Sequence, residues 1–92
     1  MADVLNAAAD LIERKGWARA EYYGAGCYCV LGAILAVQNE TFGLEDLNDA
    51  CVAAAEAIVD APPYMLARWN DHPKRTQAEV VEALRKAAEA AQ

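Results

Sequence analysis

The stretch Cys27-Tyr28-Cys29-Val30-Leu31-Gly32-Ala33-Ile34-Leu35-Ala36-Val37-Gln38 is apolar on every side of a helical wheel. A helix of this kind is in contact on most sides, so the pattern predicts a central core helix over 27–38. Its apolar run, 27–37, has only 11 residues, whereas a membrane-spanning helix needs about 20. We therefore expect this helix to lie inside a globular protein and not in a membrane.

Amphipathic patterns on both sides of this stretch predict further helices around it. The predicted elements are four main helices at about 3–15, 27–38, 44–60 and 77–90, with a short helix at about 62–69. Valines and tyrosines are dispersed and form no alternating run of strand length. The sequence predicts an all-α fold, a compact helical bundle that forms one domain over residues 1–92.

Local signals mark two of the helix ends. Gly16 stands where a helix C-terminus favours a left-handed residue, and Trp17 follows it. Thr76 and Glu79 have the spacing of a capping box, in which each residue satisfies a backbone or side-chain group of the other. These signals predict that the first helix stops at Lys15 and that the last helix starts after Thr76.

Composition and charge narrow the functional classes. Apolar residues make up 57% of the 92 residues, and 22 of them are alanines, which favours closely packed helices over a large internal cavity. The net charge is −6, whereas a nucleic-acid-binding protein usually presents a basic face. We expect no direct nucleic-acid binding.

The residues that most often carry chemistry form no catalytic pattern. Cys27 and Cys29 are too closely spaced for a zinc motif, and Cys51 and the single His72 are distant from them in the sequence. A cysteine nucleophile would need a neighbouring base. We therefore predict no metal site, no cofactor and no catalytic residues. The pattern favours a binding protein over an enzyme and leaves both classes open. The thiols are expected to be reduced and buried.

The densest polar and aromatic cluster extends over 68–76. It contains Trp69, Asn70, Asp71, Lys74 and Arg75, and it ends at a helix N-terminus, where backbone N–H groups can bind an anion. The functional interpretation is a loop from Trp69 to Thr76 that recognises a small anionic ligand or a protein. The structural interpretation is that the indole fills the core, the amide takes a left-handed helix cap, and the carboxylate holds the turn.

Three blocks of the sequence resemble one known family. They are Leu11-Ile12-Glu13-Arg14-Lys15-Gly16-Trp17, then Cys27-Tyr28-Cys29-Val30-Leu31-Gly32-Ala33-Ile34, then Trp69-Asn70-Asp71 with Arg75-Thr76 and Glu79-Val80. The chain resembles a family of small proteins of unknown function from actinobacteria and their phages. The resemblance implies a cytoplasmic setting in a bacterial host cell and transfers no catalytic residue.

The leading functional hypothesis is a small helical protein-interaction module that acts on a host or phage protein, and in one version of it the module is encoded by a phage. Residues 40–60 contain six acids and no base, and an acidic face can attract a basic partner. The predicted contacts are the acidic residues Glu45, Asp46, Asp49 and Glu56, with Tyr22 and Tyr23 as aromatic anchors. The sequence also allows a homodimer. Short helices do not easily cover a core helix that is apolar on every side, and a second copy of the chain could cover the rest.

Overall fold

Five helices form the described part of the protein in the computed structural model, which covers residues 2–18, 23–24, 27–40 and 49–90. The elements, in chain order, are α1 Ala2–Lys15, β1 Tyr23–Gly24, β2 Cys27–Tyr28, α2 Val30–Glu40, α3 Asp49–Ile58, α4 Pro63–Asn70 and α5 Gln77–Ala90. The prediction of an all-α fold is confirmed, with one two-residue antiparallel strand pair added.

The first and last helices have nearly the predicted bounds. Gly16 has a φ of 99°, and its N–H donates to the Ile12 carbonyl at 2.7 Å. This hydrogen bond and the positive φ are those of a left-handed helix cap, which glycine adopts at little cost. Trp17 then packs against the core, so the chain leaves α1 and turns back along its end.

The predicted start of the second helix was wrong. Residues 27–28 are not helical, because they form strand β2, in which Tyr28 pairs with Tyr23 and Cys27 with Gly24. Tyr28 also donates to the Gly16 carbonyl at 3.0 Å, and its own carbonyl accepts from the Ala18 N–H at 3.0 Å. These hydrogen bonds hold the backbone extended, and α2 begins at Val30 and ends at Glu40.

Helix α2 is nevertheless the central helix that its sequence predicts. From Val30 to Val37 every side chain is buried or half-buried. The fully buried large apolar side chains of the described core come from α1, α2, α4 and α5 and are Leu5, Ile12, Val30, Ile34, Leu66, Val80 and Leu84. Helix α3 contributes the small buried residues Ala50, Cys51, Ala54 and Ala55. Such burial contributes about 25 cal/mol per Å² of apolar surface to stability.

The helix predicted at 44–60 is shorter at its C-terminal end than expected. Helix α3 ends at Ile58, and Asp60 has a φ of 51°, which takes the backbone out of the helical region. Its predicted start at 44 lies outside the described residues. Pro62 and Pro63 then open α4, as the fixed φ of proline favours, and α4 follows the predicted short helix closely.

A polar clamp on the surface joins the two terminal helices, whose mutual contact is the most extensive of any helix pair. The Arg85 guanidinium on α5 donates to Asp10 Oδ1 and Glu13 Oε1 on α1, both at 2.7 Å. These hydrogen bonds raise the pKa of Arg85 above its usual value. Apolar burial already stabilises the contact between α1 and α5, and the hydrogen bonds of Arg85 orient the two helices relative to each other.

No single described helix is both long and apolar enough to cross a membrane. Only the bent pair made by α3 and α4 has the necessary length and composition.

Candidate functional site

The predicted Trp69–Thr76 loop begins with the last two residues of α4, and its other six residues form the connection to α5. Trp69 and Asn70 are the last residues of α4, Asp71 is its C-cap, and Thr76 precedes α5. Within the connection the His72 carbonyl accepts from the Arg75 N–H at 2.9 Å, and His72 Nδ1 accepts from the Lys74 N–H at 3.1 Å. The segment is thus a closed turn with its own backbone hydrogen bonds.

Asn70 is fully buried, with 0% of its surface exposed, and it is the only buried polar side chain in the described part of the chain. Its Oδ1 accepts from Trp17 Nε1 at 2.7 Å and from the Val30 N–H at 3.0 Å. Its Nδ2 donates to the Ala18 carbonyl at 3.0 Å and to Asp71 Oδ1 at 3.1 Å. All four hydrogen-bonding positions of the amide are therefore filled.

The prediction that Asn70 takes a left-handed cap was wrong. It remains helical, and the C-cap is Asp71 with φ −85° and ψ 1°. The reason is the set of long-range hydrogen bonds, which hold the amide of Asn70 inside the protein and leave the turn to the next residue. The interpretations of Trp69 as a residue packed on the core and of Asp71 as a turn residue agree with the structure.

Arg75 is held by groups of the same segment. Its guanidinium lies 4.2 Å from the centre of the Trp69 ring, its Nε donates to the Trp69 carbonyl at 3.0 Å, and its Nη1 donates to Glu79 Oε2 at 3.0 Å. A guanidinium above an indole is a stabilising cation–π contact. These contacts give Arg75 a structural role that the sequence did not reveal.

The N-terminus of α5 is already occupied by protein groups. The Glu79 N–H donates to Thr76 Oγ1 at 3.2 Å, and the Thr76 hydroxyl donates to Glu79 Oε1 at 3.2 Å. The Thr76 cap of the predicted capping box is confirmed, but the Glu79 carboxylate accepts from the Thr76 hydroxyl and not from the Thr76 N–H that a complete capping box would use. This arrangement places a carboxylate where an anionic ligand would have to bind. The positive end of the helix dipole is thereby satisfied within the chain.

An open depression of about 340 Å³ adjoins Trp69. Its lining residues are Ala57, Ile58, Trp69, Ala83, Lys86, Ala87 and Ala90. Asn70, Asp71, Lys74 and Arg75, which we predicted as ligand-binding residues, do not line it. Of the predicted set, only Trp69 borders a cavity there.

The acidic face is described only in part. Glu45 and Asp46 lie outside the described residues, as does the side chain of Asp49, whose backbone begins α3. Glu56 is exposed and borders a second open depression of about 300 Å³, together with Ala53, Ala57, Ala87 and Ala90. Three alanines line both depressions, so the two form one continuous groove between α3 and α5, which we call the alanine groove.

The two predicted aromatic anchors cannot be placed as side chains. Tyr22 lies outside the described residues, and for Tyr23 the structure describes only the backbone, in strand β1. The exposed aromatic residue of the described part is Tyr64 on α4, with 66% of its surface exposed. A helical wheel over 63–70 would have found it, because the buried Leu66 and Asn70 define the opposite side of that short helix.

Two buried thiols are the remaining groups that could act as nucleophiles or metal ligands. Cys29 immediately precedes α2, and its Sγ accepts from the Gly32 N–H at 3.3 Å. Burial raises the pKa of Cys29, and burial with the nearby Cys29 thiol raises the pKa of Cys51 from 9.0 to about 11. A protonated thiol is a poor nucleophile and a poor metal ligand, and the described residues contain no cluster that could hold a metal ion.

We predict that Asn70→Ala lowers the free energy of unfolding by about 3–5 kcal/mol. The change removes the hydrogen bonds that Asn70 makes to the Trp17 indole, the Val30 N–H and the Ala18 carbonyl, and each such loss costs about 1–3 kcal/mol. Urea denaturation monitored by circular dichroism measures the effect. Trp17→Phe, which removes one donor and part of the indole packed on the core, should cost about 1–2 kcal/mol. The comparison variant is Asn6→Ala, which removes an amide oxygen that accepts from Arg85, and equal stability of Asn70→Ala and Asn6→Ala would contradict the role of Asn70.

We predict that Arg75→Ala lowers the free energy of unfolding by about 1–2 kcal/mol in the absence of any ligand, because the indole contact and the ion pair are lost. Lys74→Ala is the matched control. Its side chain makes no recorded contact in the described part of the chain, and the expected change is below about 0.5 kcal/mol. Equal stability of the two variants would contradict the structural role of Arg75.

The Cys51 thiol makes stability depend on pH. In the unfolded chain it ionises above pH 9.0, whereas in the folded protein its pKa is about 11. The folded state therefore binds more protons between these values, so its contribution is complete below pH 9 and is lost as the pH rises towards 11. Urea titrations across this range should show a steeper fall in stability for the wild type than for Cys51→Ala, and identical slopes would contradict the assignment.

The comparisons with known proteins give one match, to a family of unknown function. No curated protein and no solved structure matches the sequence. One family model, described as a family of unknown function (DUF6197), matches residues 1–90. Since this match covers nearly the whole chain, the protein belongs to the DUF6197 family of unknown function.

Proposed function

We propose that this protein is a helical interaction module that binds a basic, amphipathic helix of another protein in the alanine groove. The observation that carries the proposal is the groove itself, which is open, floored by alanines of α3 and α5, and bordered by the exposed carboxylate of Glu56.

The shape of the groove favours a helix as its occupant. Alanine side chains let a second helix approach closely, and α3, with 10 residues, is about 15 Å long. This length corresponds to about three turns of a partner helix. At one end the groove is lined by Ile58 and by the half-buried ring of Trp69. An aromatic ring that becomes buried in an interface is a typical anchor for a partner side chain.

The charges near the groove favour a basic partner. Glu56 is exposed on its border, and the one cation in its lining, Lys86, is paired with Glu82 at 3.2 Å. The sequence around α3 adds the acids Glu45, Asp46 and Asp49, with no base from 40 to 60. A local excess of negative charge accelerates the encounter with a positively charged segment.

The same contacts argue against the small-anion alternative. The guanidinium of Arg75 contacts Trp69 and Glu79, and the N-terminus of α5 is capped by Thr76 and Glu79.

In our proposal the partner is a host or phage protein in the bacterial cytoplasm, a setting supported by the sequence resemblance to actinobacterial and phage proteins.

We predict that Ala57→Trp abolishes partner capture, because the indole fills the groove. Ala57 is exposed, so this substitution leaves the core intact, and circular dichroism checks the fold. The measurement is a quantitative pull-down from actinobacterial lysate, with the captured proteins identified by mass spectrometry. The matched control is Ala78→Trp, which enlarges an exposed alanine on the opposite side of α5.

The expected result is one protein that is captured by the wild type and by Ala78→Trp, lost with Ala57→Trp, and captured less at high salt, as an electrostatic contact requires. Nuclear magnetic resonance titration of the labelled wild type with a basic segment of that protein should then shift the amides of α3 and α5. Equal capture by both variants would refute the groove as the binding site.

A further inference from the structure

Two exposed apolar side chains stand out on the described surface, one on each of two consecutive helices. Val52 on α3 and Tyr64 on α4 have 38% and 66% of their surfaces exposed. Each precedes an exposed charged residue by four positions, Glu56 after Val52 and Arg68 after Tyr64. Residues four apart share a face of a helix, so each helix presents an apolar side chain beside a charge, and the two charges are opposite.

The two charges have no partners in the described part of the chain. None of the recorded ion pairs among these residues includes Glu56 or Arg68. Tyrosine and arginine are the residue types that contribute most often to the energy of protein interfaces. The α3 face (Val52 and Glu56) and the α4 face (Tyr64 and Arg68) are therefore complementary in both polarity and charge.

We propose that these two faces bind each other between two copies of the chain, which form a two-fold symmetric dimer. Val52 of one copy packs against Tyr64 of the second copy, and Glu56 pairs with Arg68 of the second copy. The same two contacts recur with the roles of the copies exchanged, as a two-fold axis requires. Complementary charge identifies the occupant, because each face carries the charge that the other one lacks.

Two-fold symmetry determines how the paired helices run relative to one another. The axis of α4 is turned by 61° from that of α3 across the break between them. A two-fold axis along the bisector of that angle makes α4 of the second copy parallel to α3 of the first. In a parallel pair Val52 lies beside Tyr64 while Glu56 lies beside Arg68, and this register matches apolar with apolar and acid with base.

The dimer surface and the alanine groove share Glu56, which lines the groove. Val52 and Ala57 are five residues apart, and at about 100° per residue they point about 140° apart around the helix. The dimer can therefore be tested apart from partner binding through Tyr64 and Arg68, which do not line the groove. Its test reports mass, whereas the test of partner binding reports capture, so the failure of one leaves the other standing.

The contact is small, so the dimer should be weak. A standard interface takes about 800 Å² from each partner, about a seventh of the 5246 Å² surface of this chain. Two short helix faces provide less than that area. We expect a dissociation constant in the micromolar range, on the order of 10–100 µM.

Sedimentation equilibrium of the wild type, from about 1 µM to about 1 mM, tests the proposal. The weight-average mass should rise reversibly from 9.9 kDa to twice that value. Glu56→Arg and Arg68→Glu should each remain monomeric, because each variant sets like charges against each other at both contacts. An equimolar mixture of the two variants should dimerise again, since the arginine introduced at position 56 then faces the glutamate introduced at position 68.

The controls carry the same changes of net charge at exposed sites elsewhere. Glu89→Arg and Arg14→Glu should dimerise as the wild type does. Tyr64→Ala should raise the dissociation constant at least tenfold, while circular dichroism confirms its fold. A wild type that stays monomeric throughout, single variants that dimerise alone, a mixture that stays monomeric, or growth beyond the dimer would each overturn the proposal.

Discussion

The arrangement of the helices depends on one buried amide. Asn70 holds together the end of α4, the chain after α1 and the first turn of α2, through four hydrogen bonds of 2.7–3.1 Å. A buried polar group with every position satisfied is specific, since only one arrangement of its neighbours fills all the donors and acceptors. The alanine-rich core buries apolar surface but offers few large side chains that interlock. The amide therefore fixes the relative positions of the helices, as interlocking large side chains do in other proteins.

The surrounding turn extends this constraint to the last helix. Trp69 packs on the core beside Asn70, and Arg75 covers its ring and pairs with Glu79 in the first turn of α5. The cluster of aromatic and charged side chains therefore sets the position of α5 relative to α4. It also positions the alanine groove, because Trp69 and the alanines of α5 line the same depression. Trp69, Asn70 and Arg75, which the sequence suggested as ligand-binding residues, thus hold in place the helices that line the alanine groove.

Much of the fold follows from local signals in the sequence. Helices α1 and α5 end and begin as predicted because Gly16 and the Thr76–Glu79 pair act on neighbouring residues. The start of α2 was not predictable in this way, since the strand at Cys27 is held by Tyr28 hydrogen bonds to residues 16–18. The role of Asn70 was missed for the same reason, as three of its four partners are 40 to 53 positions away. Tyr64 could have been found from a helical wheel of its own helix, but the α3 and α4 faces could be compared only once the buried sides of both helices were known.

The hydrogen bond between Trp17 and Asn70 also has a consequence for the synthesis of the protein. Trp17, Ala18 and Val30 are synthesised before residue 70 is added to the chain, so the hydrogen bonds that join them to Asn70 cannot form until then. A truncated chain that ends before residue 70 therefore lacks the contacts that connect α4 to the chain after α1 and to the start of α2. Contacts so distant in sequence also slow the approach to the native state.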